Sequence, residues 1–326
     1  MWGALFPGQG SQTVGMGQYL VENFKAARLT FEEADEALHF RLSRLCLSGP
    51  DSDLNLTENT QPALLATSVA TYRACREIID IPICAGAGHS VGEYAACVTA
   101  GAIDFAQALR AVRERGRAMQ VAVPVGEGAM IAVMGLSEQQ IDAVCSWARA
   151  GSAAGVLEAA NFNAPGQVVL SGTAAACNWL RENFTAAVAG EIFGETPPRF
   201  KFIPLNVSAP FHCSLMKSAE ITMAEILESM PFADAQWEIV QNVTAEGTRA
   251  GATLRANLIR QISGAVRWTR CISKLQSLGI TKFVEFGAGK VLSGLSKKID
   301  SEGLTTFNTN SLDDIHLLER ALKAER

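Results

Sequence analysis

The residues most able to carry out chemistry lie in the pentapeptide GHSVG, Gly88 to Gly92. It matches the pattern G-x-S-x-G, in which a serine sits on a tight turn between a strand and a helix. The apolar run IPICAGAG precedes it and a helical pattern follows from about Val91, so the context fits. Such a turn exposes the hydroxyl of Ser90 and places the N–H of Val91 at a helix N-terminus, where it can stabilise an oxyanion. The sequence therefore predicts Ser90 as a nucleophile.

Two other interpretations of this glycine-rich stretch are a nucleotide-binding loop and a plain structural turn. A dinucleotide fingerprint needs G-x-G-x-x-G, but the third glycine is displaced in the set Gly86, Gly88 and Gly92. The next ~20 residues are helical, so the acidic residue of a following strand is not supplied. A second loop, FGAGKVLSG at 286–294, lacks both the earlier glycine and the Ser or Thr after lysine that a P-loop requires. Neither loop is expected to bind a nucleotide, and the serine elbow is favoured over the plain turn.

A serine nucleophile needs a base, and the chain contains four histidines. His89 neighbours Ser90, but adjacent side chains on a sharp turn diverge. His39 follows an amphipathic helical segment and His316 lies in another, DDIHLLER, so both are expected at the surface. His212 lies in NVSAPFHCSLM, a loop directly after a predicted buried strand, where catalytic groups collect. The sequence favours His212; it does not identify an acidic partner, and a backbone or amide carbonyl is an alternative orienter for the imidazole.

The predicted elements divide the chain into two parts. TQPALLATSVATYRACREII is typical of a helix with Thr60 as its N-cap. Residues 128–206 follow the order strand, helix, strand, strand, helix, strand, in which TAAACNWLRENFTAAVAG is a single helix. That order is typical of a ferredoxin-like unit. We predict an α/β fold class: a larger α/β-hydrolase-like subdomain with a parallel sheet, residues 1–127 and 207–326, and a smaller inserted ferredoxin-like subdomain, residues 128–206.

The charge, hydropathy pattern and cysteine spacing of the chain exclude several classes of protein. The 326 residues carry a formal net charge of -5 without a basic block, so nucleic acid is not an expected partner. No apolar stretch reaches the ~18 residues of a membrane span, and the N-terminus lacks a basic region ahead of its apolar residues. The eight cysteines form no C-x-x-C pair, which favours buried free thiols over disulfides or metal ligands. These features predict a cytoplasmic enzyme without a membrane partner.

Eight segments together resemble the malonyl-CoA:acyl carrier protein transacylases, and the acyltransferase domains of polyketide synthases. They occur in the family's order, at compatible spacings, over nearly the whole chain: LFPGQGSQTVGMG, TQPALLATSVA, GHSVGEYAACVTAGAIDF, RGRAMQ, NFNAPGQVVLSG, VSAPFHCSLM, NVTA and EFGAGKVLSGL. The resemblance implies that Ser90 carries the acyl group and that His212 is its base. It also implies an oxyanion hole made by the backbone N–H groups of Gln9 and Val91. The backbone carbonyl of Gln261 falls where the family orients its histidine.

The resemblance also implies a substrate with a free carboxylate. The residues it assigns to substrate binding are Arg115, Phe211, Met119, Asn163 and Gln167. Arg115 would hold the malonyl carboxylate through two charge-assisted hydrogen bonds. Without the resemblance, the simplest interpretation of Arg115 and Arg117 is a solvated helix face; Arg115 is chosen because it precedes the glycine, as in the family. Phe211, directly before the histidine, is the residue that malonyl-specific relatives often carry, and its ring would leave little room for an α-methyl branch.

The implied reaction is malonyl transfer from malonyl-CoA to holo-acyl carrier protein in fatty acid synthesis. It implies a monomer that needs no metal and no other cofactor, since the phosphopantetheine arm belongs to the carrier protein. A trans-acting acyltransferase serving a polyketide synthase has the same motifs and is one alternative. A serine acyl hydrolase, with water as the acceptor, is another.

Overall fold

The computed structural model describes residues 1–151 and 155–325, and its larger sheet has its central strand at the chain's N-terminus. The strand order is β10-β9-β1-β2-β7-β8, and every adjacent pair is parallel except β7 with β8. Residues of β1 are all buried, as expected for a strand covered on both faces. The strands of this sheet are β1 (Trp2–Phe6), β2 (Ile83–Gly88), β7 (Glu238–Val240), β8 (Gly247–Thr248), β9 (Lys282–Glu285) and β10 (Thr305–Asn308).

Helices cover both faces of this sheet, because its parallel strands need crossover connections. None of the described helices is long and apolar enough to cross a membrane. The helices of this part are α1 (Gln18–Asn23), α2 (Lys25–Leu38), α3 (Leu42–Ser48), α4 (Asp51–Leu54), α5 (Thr57–Ile78), α6 (Gly92–Thr99), α7 (Phe105–Val121), the 3-10 turn Ser214–Met216, α11 (Lys217–Glu228), α12 (Gly251–Gln261), α13 (Trp268–Ser277), α14 (Val291–Ile299) and α15 (Leu312–Lys323).

One predicted helix boundary is wrong. Helix α5 begins at Thr57, so Thr60 lies inside the first turn and is not the N-cap. The hydroxyl of Thr60 donates to the carbonyl oxygens of Leu54 and Leu56. In the sequence such a threonine resembles an N-cap. An N-cap hydroxyl accepts from an N–H of the helix, whereas the hydroxyl of Thr60 donates to carbonyl groups of preceding residues.

The smaller sheet is antiparallel, with the strand order β4-β5-β3-β6. This is the strand order of the ferredoxin-like arrangement predicted from the sequence. The elements are β3 (Gly128–Met134), α8 (Glu138–Gly151), β4 (Leu157–Ala164), β5 (Gln167–Thr173), α9 (Ala174–Asn183), α10 (Ala186–Phe193) and β6 (Lys201–Pro204). The single helix predicted after β5 is wrong: it is broken between α9 and α10, where the hydroxyl of Thr185 accepts from the N–H of Val188 and caps α10.

The small sheet has an apolar cluster of its own on one face. Side chains of α8, α9 and α10 pack against one face of the small sheet around Leu170 and Phe184, while Met130, Ala160 and Val169 of its strands pack with the core of the large unit. The fold class is therefore a large α/β unit with a separate small antiparallel unit. The subdomain boundaries at 127/128 and 206/207 stay a prediction, which the separate sheet and the apolar cluster of the small unit support. All eight cysteines are unpaired, and Cys84 is the only half-buried one among otherwise buried thiols.

Candidate active site

Ser90 lies on a tight turn between β2, which ends at Gly88, and α6, which begins at Gly92. Its backbone φ is 53°, in the left-handed region that a residue with a Cβ rarely adopts. A Cβ on Gly88 would come 1.9 Å from the carbonyl carbon of Gly92, and one on Gly92 would come 2.2 Å from the carbonyl oxygen of Phe6. Both glycines are therefore required by close backbone approach, which explains the G-x-S-x-G spacing around a strained serine.

The hydroxyl of Ser90 lies 2.7 Å from Nε2 of His212. The other ring nitrogen, Nδ1, lies 2.9 Å from the backbone carbonyl oxygen of Gln261, at the end of α12. A carbonyl accepts only, so Nδ1 carries the proton and Nε2 is left as the acceptor that faces Ser90. Of the orienters that the sequence left open, a backbone carbonyl is the one that lies within hydrogen-bonding distance of Nδ1. The catalytic roles of the three residues stay predictions.

His212 is buried, and two features oppose its protonation. Burial and the nearby positive charge of Arg115 lower the pKa of His212 from its usual 6.5 to about 3. The neutral imidazole, which is the form that can accept the proton of Ser90, therefore persists far below the pH at which a free histidine is protonated.

This leads to a pH prediction for the free enzyme. We expect kcat/KM for an acyl donor without a carboxylate, acetyl-CoA, to stay level from about pH 8 down to about pH 5, because His212 keeps its base form through an ordinary histidine pKa. The measurement is a pH profile over the range in which circular dichroism shows a folded protein. A fall with its midpoint at or above about pH 6.5 would contradict a depressed pKa.

The loop that carries Gln9 packs directly against the elbow. A Cβ on Gly8 would lie 2.4 Å from the carbonyl oxygen of His89, so glycine is needed for this approach. Within the described residues, the backbone N–H groups of Gln9 and Val91 have no protein acceptor. Two free donors beside the serine are what an oxyanion hole requires, and this role of both residues stays a prediction.

Arg115 lies on α7 with its side chain buried beside Ser90. One terminal nitrogen donates to Oε1 of Gln61 at 2.8 Å. The other donates to Oε1 of Gln261 at 2.9 Å and to the hydroxyl of Ser90 at 3.2 Å. Its Nε–H has no partner within the described part of the chain. Arg115 is therefore a buried cation held by neutral amides, with donor capacity left for an acceptor on Ser90.

Arg117, the other candidate in RGR, has a different environment. Residues two apart on a helix point to nearly opposite sides, so Arg115 and Arg117 cannot share a pocket. The side chain of Arg117 is 45% exposed and forms ion pairs with Glu58 and Glu114. The structure separates two arginines that their types alone could not distinguish.

A cavity of about 660 Å³ opens above Ser90, between the two sheets. Met119, Phe211 and Asn163 line it, together with Ser90, His212, Arg115, Gln9, Met130 and Val169. His89 lines the same cavity, and its Nε2 lies 2.8 Å from Oδ1 of Asn163. Gln167 is not brought to this cavity: it sits at the start of β5 and accepts from Lys298 at 2.8 Å. The hairpin turn after Asn163 carries Gln167 away from the cleft.

Sequence reasoning missed three polar residues that support the site. Gln61 holds Arg115, and Asn242 and Glu93 lie directly beneath the elbow. All three are buried. The sequence does contain a signal for these residues, because each is a polar residue within an apolar segment or within one of the segments shared with the family. Burial of such residues requires partners, which only the folded chain identifies.

Comparisons with known proteins show the family to which the chain belongs. The acyl transferase domain family matches residues 4–191. The chain is 41% identical over 321 residues to the malonyl CoA-acyl carrier protein transacylase of Bacillus subtilis, covering 98% of this chain and 97% of that protein. It is 39% identical to the protein of the same name from Escherichia coli K12, covering 98% of each.

Solved structures show the same likeness. An acyl carrier protein S-malonyltransferase of Vibrio cholerae is 40% identical, with a TM-score of 0.89 over 97% of this chain and 99% of that one. A malonyl-transacylase solved in complex with a type II polyketide synthase acyl-carrier protein is 38% identical, also with a TM-score of 0.89, over 98% and 99% of the two chains. The chain therefore belongs to the malonyl-CoA:acyl carrier protein transacylase family of acyltransferases.

Proposed function

We propose that this enzyme transfers a malonyl group from malonyl-CoA to the phosphopantetheine thiol of holo-acyl carrier protein, through a malonyl ester on Ser90. The observation that carries the proposal is the distance of 3.2 Å between the guanidinium of Arg115 and the hydroxyl of Ser90, which is itself 2.7 Å from His212. A malonyl group on that oxygen has its free carboxylate only two carbons beyond the ester carbonyl. A buried guanidinium beside the nucleophile is placed to bind that carboxylate.

In the first half-reaction, Nε2 of His212 takes the proton of Ser90 as its oxygen attacks the thioester carbonyl. The negative oxygen of the tetrahedral intermediate is stabilised by the backbone N–H groups of Gln9 and Val91. The carbon–sulfur bond then breaks, and His212 returns its proton to the departing sulfur of CoA. The product is malonyl-Ser90 and free CoA, with His212 neutral again.

In the second half-reaction, the phosphopantetheine thiol occupies the place that CoA has left. His212 takes its proton, the sulfur attacks the ester, and Ser90 leaves with that proton. The two halves give ping-pong kinetics, and no metal or redox step is needed. Water in the place of the thiol would make the enzyme a hydrolase, so the acyl-enzyme must outlive water attack until the carrier protein binds.

Intact mass spectrometry after addition of malonyl-CoA tests this proposal. We expect a malonyl adduct on the wild-type enzyme, none on Ser90→Ala, and loss of the adduct when holo-carrier protein is added, with malonyl recovered on the carrier. An adduct that persists in Ser90→Ala would overturn the mechanism. Release of free malonate, with none on the carrier, would favour the hydrolase alternative.

A second candidate function is trans-acting supply of a polyketide synthase. The relative solved with a type II polyketide synthase carrier protein supports it, since its 38% identity is close to the 39–41% of the bacterial transacylases named above. Transfer rates to a fatty acid carrier protein and to a polyketide carrier protein from the same host, compared as kcat/KM, decide between them.

Phe211 is proposed to exclude an α-methyl branch. Its ring is buried and lines the cavity beside Met119 and Met130. We expect Phe211→Ser to raise the ratio of kcat/KM for methylmalonyl-CoA to that for malonyl-CoA by about tenfold, the usual discrimination gained or lost with one methyl group in an apolar pocket. Phe232→Ser, at a partly buried ring that packs against Arg255 outside the cavity, is the matched control and should leave the ratio unchanged. Equal ratios in wild type and Phe211→Ser would remove this role.

A further inference from the structure

The side chain of Asn242 contacts the backbone of the elbow on both sides of His89. Its Oδ1 accepts the N–H of Ser90 at 2.7 Å. Its Nδ2 donates to the carbonyl oxygen of Gly88, also at 2.7 Å. Asn242 is fully buried and follows β7, the strand next to β2 in the large sheet. The side-chain amide of Asn242 therefore continues the pairing between β2 and β7 at the end of β2, where a backbone unit of β7 would otherwise bond.

This pairing occurs at the strained residue. The left-handed backbone conformation of Ser90 is strained, so contacts with the surrounding structure must hold it in place. Relaxation of that backbone would rotate the Cα–Cβ bond and move the hydroxyl away from Nε2 of His212. Gln261 adds a second restraint, since its Nε2 donates to the carbonyl of Ser90 at 3.1 Å and to Oδ1 of Asn242 at 3.3 Å. Both backbone polar groups of Ser90 are thus bound by buried side-chain amides.

Asn242 is in turn held by Glu93, on the first turn of α6. One carboxylate oxygen of Glu93 accepts the backbone N–H of Asn242 at 2.7 Å, and the other accepts from Gln241 at 3.1 Å. Glu93 is fully buried and lines no part of the cavity, so it does not contact the reacting groups. Burial raises the pKa of Glu93 to about 7, and the hydrogen bonds from Asn242 and Gln241 oppose that rise. A buried carboxylate is costly, and here its partners are the residues that hold the elbow.

We propose that Asn242 is a positioning residue for Ser90: its amide holds the elbow at Gly88 and Ser90, and Glu93 fixes Asn242 beneath it. The inference rests on Ser90 being the nucleophile of the proposed function. It assigns no contact with substrate to either residue. Its consequence is a specific kinetic pattern, in which the reactivity of Ser90 depends on Asn242 while binding of the acyl-CoA does not.

The test compares Asn242→Ala with wild type. We expect kcat for malonyl transfer to fall by about 100-fold, the size of effect that a displacement of ~1 Å has on a reacting group. We expect KM to stay within about twofold, because Arg115 and the cavity wall are not altered. Glu93→Gln keeps the shape and removes the buried charge; it should lower kcat by about tenfold, since one charge-assisted hydrogen bond to Asn242 is weakened.

Asn257→Ala is the matched control for a merely structural role. Asn257 is also a buried asparagine of this network, and its Nδ2 donates to Gln241 at 2.8 Å, but it contacts neither Ser90 nor Gly88. It should lower the midpoint of thermal unfolding and leave kcat close to wild type. A kcat loss in Asn257→Ala as large as that in Asn242→Ala would overturn the proposal. So would wild-type kcat in a folded Asn242→Ala or Glu93→Gln.

A fluorophosphonate probe separates this inference from the proposed function. The probe reacts with an activated serine and has no carboxylate, so its rate reports the reactivity of Ser90 without carboxylate binding by Arg115 and without malonyl-CoA. We expect its rate of reaction with Ser90 to fall in Asn242→Ala by the same factor as kcat. If the wild-type enzyme fails to transfer malonyl while the probe rate still falls in Asn242→Ala, the proposed function fails and the positioning role holds. An unchanged probe rate in Asn242→Ala overturns the positioning role alone.

Discussion

His212→Ala is expected to slow acylation of Ser90 by malonyl-CoA by about 10³-fold, within the range that a positioned general base contributes. Nε2 of His212 is the acceptor 2.7 Å from the serine hydroxyl, and within the described residues no other side chain of the site offers a basic nitrogen there. The measurement is a single-turnover rate of adduct formation, followed by intact mass. Binding of malonyl-CoA should change little, because the carboxylate partner Arg115 remains.

Two controls accompany this prediction. His316→Ala removes a histidine whose side chain is 54% exposed on α15, and it should leave the rate unchanged. Added imidazole should partly restore the rate of His212→Ala, because the substitution leaves room beside Ser90 for a free base. A folded His212→Ala enzyme with a rate within a few-fold of wild type would exclude His212 as the base.

Arg115→Ala is expected to lower kcat/KM for malonyl-CoA by about 10²–10³-fold, the equivalent of two lost charge-assisted hydrogen bonds. Acetyl-CoA has no carboxylate, so its turnover should fall far less. Arg115→Lys should restore only part of the loss, since an ammonium is a point charge and cannot match a carboxylate with two parallel donors. The comparison to make is the malonyl-to-acetyl ratio of kcat/KM in each variant.

Arg117→Ala is the matched control for Arg115. It removes an arginine two residues away whose ion pairs with Glu58 and Glu114 lie at the surface. Exposed pairs of this kind contribute about 0–1 kcal/mol to stability, so neither folding nor the malonyl-to-acetyl ratio should change much. A ratio that falls in Arg117→Ala and not in Arg115→Ala would reverse the assignment within RGR.

Much of the elbow could be predicted from the sequence because its constraints are local. A Cβ on Gly88 would clash with the backbone of Gly92 within the same five residues, so the need for this glycine is visible in the motif itself, whereas Gly92 is required by the distant carbonyl of Phe6. The same holds for the order of strands and helices in the small unit, which is set by local periodicity. The start of α5 and the break between α9 and α10 were not predicted, because a threonine hydroxyl can bond either to carbonyls before it, as Thr60 does, or to an N–H after it, as Thr185 does.

The partners of the buried polar groups could not be predicted in this way. Arg115, Gln61 and Gln261 come from three different helices, and their hydrogen bonds join residues 54 and 146 positions apart. Gln167 illustrates the converse: it directly follows the hairpin turn after Asn163, yet its partner is an exposed lysine, Lys298. Contacts between distant segments depend on how the two sheets and their helices pack. The residue types and their spacing in the sequence do not predict these contacts individually.

The sequence by itself determined the nucleophile elbow, the α/β class with its inserted small unit, and the short list of histidines from which His212 was chosen. The carbonyl of Gln261 and the choice of Arg115 over Arg117 followed only from the family resemblance, and the tertiary structure places both beside the site, with Asn242 beneath the elbow. The physical reason is the same in each case. Steric and periodic constraints act between neighbours in the chain, whereas a buried donor or charge must be satisfied by whichever residue the folded chain brings within hydrogen-bonding distance.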